Sequence, residues 1–346
     1  MKAILLFMVT GTAFALGFEI TSLDTHKEIN IQDEKFCLYP RDKGSDTCPL
    51  DTKKVPVPVR RFITLSSTHL ASIERLQLES RLVGVSQMKH FDSQVLQSRF
   101  RKKMLHEVGM DYNLNVEKVI ELQPEIVFYY APVQDAPNLV KLKKMGIVMV
   151  PVNDYLEKHP LDVLEWLELV AAFFDREIEA RKIIATIKQK YSDAASLIKN
   201  VKKRPRVMVN SAYSGSWFVP GAQSFLAQWI KDAGGDYLFS DLSGRGGHNI
   251  GLEEALNRGM HADIWLITAD VKSRQDLIDQ DKRHGLLMPF QTNMVFNSLG
   301  IRNKNETTDW FERSMANPDL VLMDLISVFH KEVVPDYKRR WYDRLY

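Results

Sequence analysis

The chain has 346 residues, 45% hydrophobic and 26% charged, with 46 Lys plus Arg against 44 Asp plus Glu and a formal net charge of +2. That is enough apolar material for two ordinary domains with cores, and the near balance excludes the clustered basic face of a nucleic-acid binder. The densest basic run, Lys199 to Arg206, falls where a helical pattern gives way to a strand and reads as a solvated connection.

Residues 1–15 have the layout of an export signal. Lys2 is a positive start, Ala3 to Val9 is a short apolar stretch, and Ala13-Phe14-Ala15 fits the small-residue cleavage rule. The alternative is an N-terminal strand. No cysteine follows until Cys37, so a lipid anchor at the cleavage point is not expected. Removal of Met1 to Ala15 takes away only Lys2 and leaves a net charge of +1. No later apolar run approaches the length of a membrane span, so the mature chain is expected to be soluble and exported to the periplasm.

Residues 16–60 form a polar N-terminal extension. Phe18-Glu-Ile-Thr and Ile29-Asn-Ile alternate in polarity as an exposed hairpin does. Pro40 to Pro58 is turn-rich and reads as a loop. Its neighbourhood holds the only two cysteines, Cys37 and Cys48. An oxidising compartment permits a local disulfide between them, and two free thiols are the alternative.

A first α/β lobe spans residues 61–159. Phe62-Ile-Thr-Leu predicts a buried strand, Ser66-Ser-Thr a helix cap, and His69 to Leu76 a short helix. Leu82-Val-Gly-Val is the next strand. Val116 to Leu122 is a helix stopped by Pro124, and Glu125-Ile-Val-Phe-Tyr-Tyr is a strand. Leu139 to Met145 is a helix, and Ile147 to Val152 a fourth strand. Strands alternating with short helices predict a parallel sheet.

Residues 160–203 are helical with almost no Gly or Pro. Pro160 suits a first helical turn, and Asp175 is placed to cap a second segment. Ile183, Ile184, Ile187, Tyr191, Ala194 and Ile198 share one face. A helix from Arg176 to Val201 would be roughly 39 Å long, enough to run the height of two lobes.

Residues 204–346 predict a second α/β lobe: a strand at Arg206-Val-Met-Val-Asn, a helix over Gln223 to Ala233 and another over Leu252 to Arg258. Strands at Asp263-Ile-Trp-Leu-Ile and Met294-Val-Phe-Asn follow, then a closing helix over Leu320 to His330. The run from Val116 and the run from Leu252 echo each other, each a short acidic helix leading into a buried strand. The fold class is therefore α/β, two Rossmann-like lobes with parallel sheets joined by one long helix. A ligand cleft is expected between them, at the carboxyl ends of the strands.

From Arg61 onward the chain resembles the helical-backbone (class III) periplasmic substrate-binding proteins of ABC importers for iron–siderophore, haem and cobalamin. The first lobe carries the likeness in Phe62-Ile-Thr-Leu-Ser-Ser-Thr-His-Leu, Leu82-Val-Gly-Val-Ser, Asn115-Val-Glu-Lys-Val-Ile-Glu-Leu-Gln-Pro-Glu-Ile-Val and Leu142-Lys-Lys-Met-Gly-Ile-Val-Met-Val. The second lobe adds Trp217-Phe-Val-Pro-Gly-Ala-Gln-Ser-Phe, Asp232-Ala-Gly-Gly-Asp-Tyr, Leu252-Glu-Glu-Ala-Leu and Asn317-Pro-Asp-Leu-Val-Leu-Met-Asp-Leu. Residues 18–59 lie outside it.

The resemblance implies that Glu117 and Glu253 dock arginine pockets on the importer's permease, one per lobe. A carboxylate accepts the forked guanidinium contact well, although a Glu in a first helical turn is also favoured by the helix dipole alone. Loops after strands are expected to supply ligand contacts: Phe91, Tyr112 and Tyr130 in the first lobe, and Tyr213, Trp217 and Trp310 in the second. Their rings suit a corrin, porphyrin or catecholate. Arg245 and His248, in the polar run Ser243-Gly-Arg-Gly-Gly-His, are candidates for a carboxylate, phosphate or metal centre. Trp166 and Trp265 fall in helix and strand patterns and are assigned to the core. The chain departs from the common pattern at His69, at His330-Lys331 and in its extension.

No Walker-A loop, His-Glu-x-x-His or Gly-x-Ser-x-Gly pattern is present, so no enzyme is expected and no cofactor beyond the metal chelate carried as ligand. The expected partners are that chelate and a permease, with the protein a monomer. With Arg245 the one obvious cleft cation, a corrinoid is preferred over an anionic ferric siderophore. A bare zinc or manganese binder and a stand-alone scavenger or sensor are the alternatives. A rigid linking helix also predicts little lobe movement on binding.

Overall fold

The computed structural model describes residues 17–110, 113–130, 136–213, 215–302 and 308–346. The extension folds into a four-stranded sheet of β1 (Phe18–Ser22), β2 (Lys27–Ile31), β3 (Glu34–Pro40) and β4 (Lys53–Val57), in that order. The expected hairpin of β1 and β2 forms, but it is not an exposed appendage. Ile29, Ile31, Phe36, Leu38, Val55 and Val57 turn inward and share one core with the first lobe and the linking helices. Phe36 meets Phe173 edge-on at 6.0 Å, and ion pairs from Lys27 to Asp175 (2.7 Å) and Arg41 to Glu125 (2.5 Å) pin the rim.

The Pro40 to Pro58 loop is corrected in part, because β4 lies inside it and pairs parallel to β3. Val55 and Val57 alternate inward there, while Pro56 is tolerated because β4 is an edge strand. A Cys37–Cys48 disulfide closes the crossover between the two strands, and both cysteines are buried.

The first lobe alternates β5 (Phe62–Thr64), α1 (Leu70–Arg75), β6 (Leu82–Val85), α2 (Gln94–Arg101), β7 (His106–Glu107), α3 (Val116–Glu121), β8 (Ile126–Tyr130), α4 (Pro137–Lys144) and β9 (Met149–Val152). The sheet order is β7-β6-β5-β8-β9, every neighbouring pair parallel. Its central strands are buried at every position, as strands covered on both faces must be. α2 was not expected from its mostly polar sequence; Ser93 caps it, its hydroxyl accepting from the Leu96 amide.

Two linking helices follow, α5 (Pro160–Ala172) and α6 (Glu177–Leu197). α6 has 21 residues, about 32 Å, shorter than the expected Arg176 to Val201 because Ile198 already leaves helical geometry. Asp175 does not cap it. The residue takes a left-handed backbone at the corner, φ 56°, and its carboxylate accepts from Lys27. One face of α6 serves both lobes: Ala180, Ile184 and Ile187 join the first-lobe core, while Tyr191, Ala194 and Ile198 join the second.

The second lobe contains β10 (Arg206–Val209), β11 (Ala212–Tyr213), β12 (Ser216–Pro220), α7 (Phe225–Asp232), β13 (Asp236–Tyr237), β14 (Gly247–Gly251), α8 (Leu252–Gly259), β15 (Ile264–Ile267), α9 (Arg274–Gln280), α10 (Met288–Gln291), β16 (Val295–Asn297), α11 (Trp310–Arg313), α12 (Pro318–Phe329) and β17 (Asp343–Arg344). Its main sheet, β13-β10-β15-β16-β17, is parallel except for the last pair. A separate antiparallel sheet, β11-β12-β14, closes one side. Gly247 lies under the ring of the half-exposed Phe218, which a side chain there would have to push aside.

The last stretch of chain is held by the buried Asp324 of α12. Its carboxylate accepts from the backbone amides of Arg340, Trp341 and Tyr342 at 2.8 to 3.1 Å and from the Tyr337 hydroxyl at 3.0 Å.

Candidate functional site

The carboxyl ends of both parallel sheets face a common cleft of about 330 Å³. The first lobe contributes Lys89, His90 and Asp92 from the segment after β6. The second contributes Asp270 after β15, Leu299 and Arg302 after β16, and Phe311 and Glu312 from α11. These positions follow from topology: in a parallel sheet every strand delivers its following loop to the same edge.

The cleft carries charge of both signs. Arg302 donates to Asp270 at 2.6 Å. The His90 imidazole is held below its ordinary pKa by partial desolvation and then by the charge of Lys89. Glu312 sits above the ordinary carboxylate range because burial outweighs its hydrogen bonds. Phe311 is 51% exposed and offers an apolar ring face beside Leu299.

Side chains also span the two lobes directly. Arg313 donates to both oxygens of Glu74 at 2.9 Å and to the Asp92 carbonyl at 2.9 Å. Arg75 donates to Asn317 Oδ1 at 2.7 Å, and the Ser67 hydroxyl to Glu312 Oε1 at 3.1 Å. Arg245 reaches from the second lobe to the Leu156 carbonyl at 2.9 Å. Tyr130, at the end of β8, lies against Tyr155 with ring centroids 4.8 Å apart. Nearby, desolvation pushes the Asp154 carboxyl up to about 6.

Three of the expected ligand aromatics are instead core residues. Phe91 is fully buried among Leu96, Phe62 and their neighbours, because the turn after β6 points it inward and leaves Lys89 and His90 outward. Trp217 is fully buried against Trp265 and His284, its indole donating to the Val209 carbonyl at 2.8 Å. Trp310 is 6% exposed and packs between Trp341 and Tyr342. None of the three presents a ring to the cleft.

Tyr130 is exposed at its strand end, and Tyr213 lies in β11. Tyr112 lies outside the described residues. His248 is not on a loop; it sits on β14 opposite Val219, half-buried and hydrogen-bonded to the Ser243 carbonyl at 2.8 Å. Arg245 holds the place where the lobes touch.

Glu117 and Glu253 are both exposed in the first turns of equivalent helices, α3 and α8, each leading into a central strand. Lys89, His90, Asp270, Arg302 and Phe311 were not singled out from the sequence. Looking at every residue just after a strand end, rather than at aromatics, would have found all but Phe311, which lies inside α11. Among the described residues no group of three His, Cys, Asp or Glu is arranged to hold a metal ion, and no helix is long and apolar enough to cross a membrane.

Comparison with known proteins agrees with this architecture. The periplasmic binding protein profile matches residues 63–287. An uncharacterized lipoprotein of Methanocaldococcus jannaschii is 27% identical over 300 residues, covering 84% of this chain and 70% of that protein. An uncharacterized ABC transporter substrate-binding lipoprotein of Bacillus subtilis is 26% identical over 213 residues, covering 56% of this chain and 65% of its own length. Among solved structures, a periplasmic haem-binding protein from Pseudomonas aeruginosa superposes with a TM-score of 0.63 at 16% identity, over 83% of this chain and 98% of that one.

Proposed function

Because this chain belongs to the periplasmic binding protein family, whose members are substrate-binding proteins of ABC transporters rather than enzymes, we propose that it carries an organic metal chelate to an importer's permease. The observation that supports this cargo is the composition of the cleft. Lys89 and Arg302 line it together with the carboxylates Asp92, Asp270 and Glu312, Arg302 being paired to Asp270, while Phe311 and Leu299 provide an apolar wall. The preference for a corrinoid rests on cleft aromatics and few clustered cations; the burial of Phe91, Trp217 and Trp310 weakens the first reason, while the mixed charge of the lining leaves the second standing. A corrinoid, haem or ferric siderophore each presents polar groups beside a large ring or chelate body, which suits a wall of mixed charge with an apolar patch.

The test is a tryptophan-quenching and thermal-shift titration of the purified protein. The panel is haemin, several ferric siderophores, cyanocobalamin, and zinc and manganese salts. Saturable binding of one of these chelates at or below about micromolar is expected and names the cargo, weakened at least about tenfold by Phe311→Asp in the apolar wall. A response to bare ions alone would move the protein to the metal-ion binders. Silence across the panel would favour a scavenger or sensor.

Glu117 and Glu253 are proposed as the permease contacts, one at the tip of each lobe. Double reversal to Arg should abolish uptake in cells and leave cargo affinity unchanged, because neither residue lines the cleft. Export is proposed through residues 1–15, and relatives named as lipoproteins share the extracytoplasmic setting.

A further inference from the structure

Glu312 lines the cleft with one carboxyl oxygen that has nothing to bind. The residue is 7% exposed, and its Oε1 accepts from the Ser67 hydroxyl of the first lobe at 3.1 Å. Oε2 is buried and has no hydrogen-bond partner among the described residues. Desolvation raises the carboxyl above its ordinary range, and the charge of Asp309 adds to that rise. A buried acceptor without a donor is costly, and more so when it is ionised.

The neighbouring cations are engaged elsewhere. Arg313 donates to both oxygens of Glu74 and to the Asp92 carbonyl, and Arg302 pairs with Asp270. Lys89 is exposed and forms no ion pair with Glu312 among the described residues. Oε2 therefore calls for a donor that enters the cleft from outside. Phe311, the preceding residue, is 51% exposed and with Leu299 forms the apolar wall. A ring or chelate body resting on that wall brings its rim to Glu312.

The charge of the lining points to the same kind of rim. Lys89 and Arg302 stand against Asp92, Asp270 and Glu312, two charges to three, and the His90 pKa is lowered. Carboxylate arms on a cargo would meet an excess of like charge, whereas N–H and O–H arms would meet acceptors.

We propose that Glu312 is a specificity-determining residue of the cleft, its Oε2 accepting from an amide N–H or hydroxyl of the cargo. Chelates with such neutral donor arms are selected over a porphyrin whose only polar arms are carboxylates. The proposal rests on the carrier reading above and narrows its cargo.

The test compares the dissociation constants of cyanocobalamin, dicyanocobinamide, ferrioxamine B and haemin for the whole protein and for Glu312→Gln, by tryptophan quenching. The first three carry amide N–H donors, and haemin carries carboxylates alone. The tightest ligand of the wild type should be one of the first three. In the variant, the amide oxygen can keep the Ser67 bond while the amide nitrogen takes the place of Oε2 and meets the cargo's donor with a donor. Affinity for that ligand should fall at least about tenfold, and affinity for haemin should stay or rise. Haemin as the tightest ligand overturns the selectivity. A donor-bearing ligand bound equally by both proteins overturns the role of Glu312 and leaves the carrier reading standing. An equal fall for all four ligands marks a structural role and also overturns the assignment. If none of the four binds, the carrier reading falls and this assignment with it. Should Glu312→Gln fail to fold, Glu312→Asp, which keeps the charge but withdraws the oxygens by one methylene, decides by the same ratio of affinities.

Discussion

Replacing Asp324 by Ala should loosen the second wall of the cleft from a distance. The carboxylate holds three consecutive backbone amides and the Tyr337 hydroxyl. Trp341 and Tyr342 are buried, so their amides would have no water to turn to, whereas Arg340 is exposed. Leaving two buried donors unmet costs about 1–3 kcal/mol each. Burial holds the Asp324 carboxyl above the ordinary range despite its donors, so part of that gain is already offset by desolvation. The net loss is put at about 2–4 kcal/mol.

The consequence extends to the cargo site. Trp341 and Tyr342 form the bed on which Trp310 packs, and the Trp341 indole donates to Asp309 at 2.7 Å. Those contacts set the start of α11, which carries Phe311 and Glu312 into the cleft. Urea unfolding followed by tryptophan fluorescence measures the loss, and limited proteolysis reports release of the C-terminal stretch. A change below about 0.5 kcal/mol with an undigested C-terminus would refute the keystone role.

Three further outcomes are expected. Burial lowers the His69 pKa to about 4 in the folded protein from 6.5. The stability this neutral imidazole contributes is therefore full above about 6.5 and lost as pH falls toward about 4, some 3 kcal/mol in all, roughly; urea midpoints from pH 7 to pH 4 should fall less steeply in His69→Gln. Reducing the disulfide opens a short loop, with a sequence separation of 11, and should cost about 3 kcal/mol by loop entropy, seen as an earlier melting transition that Cys37→Ala with Cys48→Ala reproduces. Because α6 enters both cores and Arg313 bridges the lobes, X-ray scattering with and without cargo should show almost no compaction, while Arg313→Ala should widen the unliganded profile; a large closure in the wild type would contradict the rigid-linker reading.

The sequence by itself determined the α/β class, the division into two lobes and the linking helices. Those features rest on local signals: apolar runs of strand length, helical spacing, and a cap at Ser66. It also located Glu117 and Glu253 on exposed helix starts. Tertiary structure alone decided which side chains meet at the cleft. Phe91 and His90 are neighbours in one turn, yet one is core and the other lines the cleft, because a single residue's rotation of the backbone sends adjacent side chains to opposite sides. Trp217 and Trp310 read as ligand rings for their residue type, but the second core had room for them and no local pattern records that. The extension shows the same limit. Its hairpin periodicity is legible, whereas the burial of Ile29, Phe36 and Val57 against Phe173 depends on a surface built more than a hundred residues later in the chain.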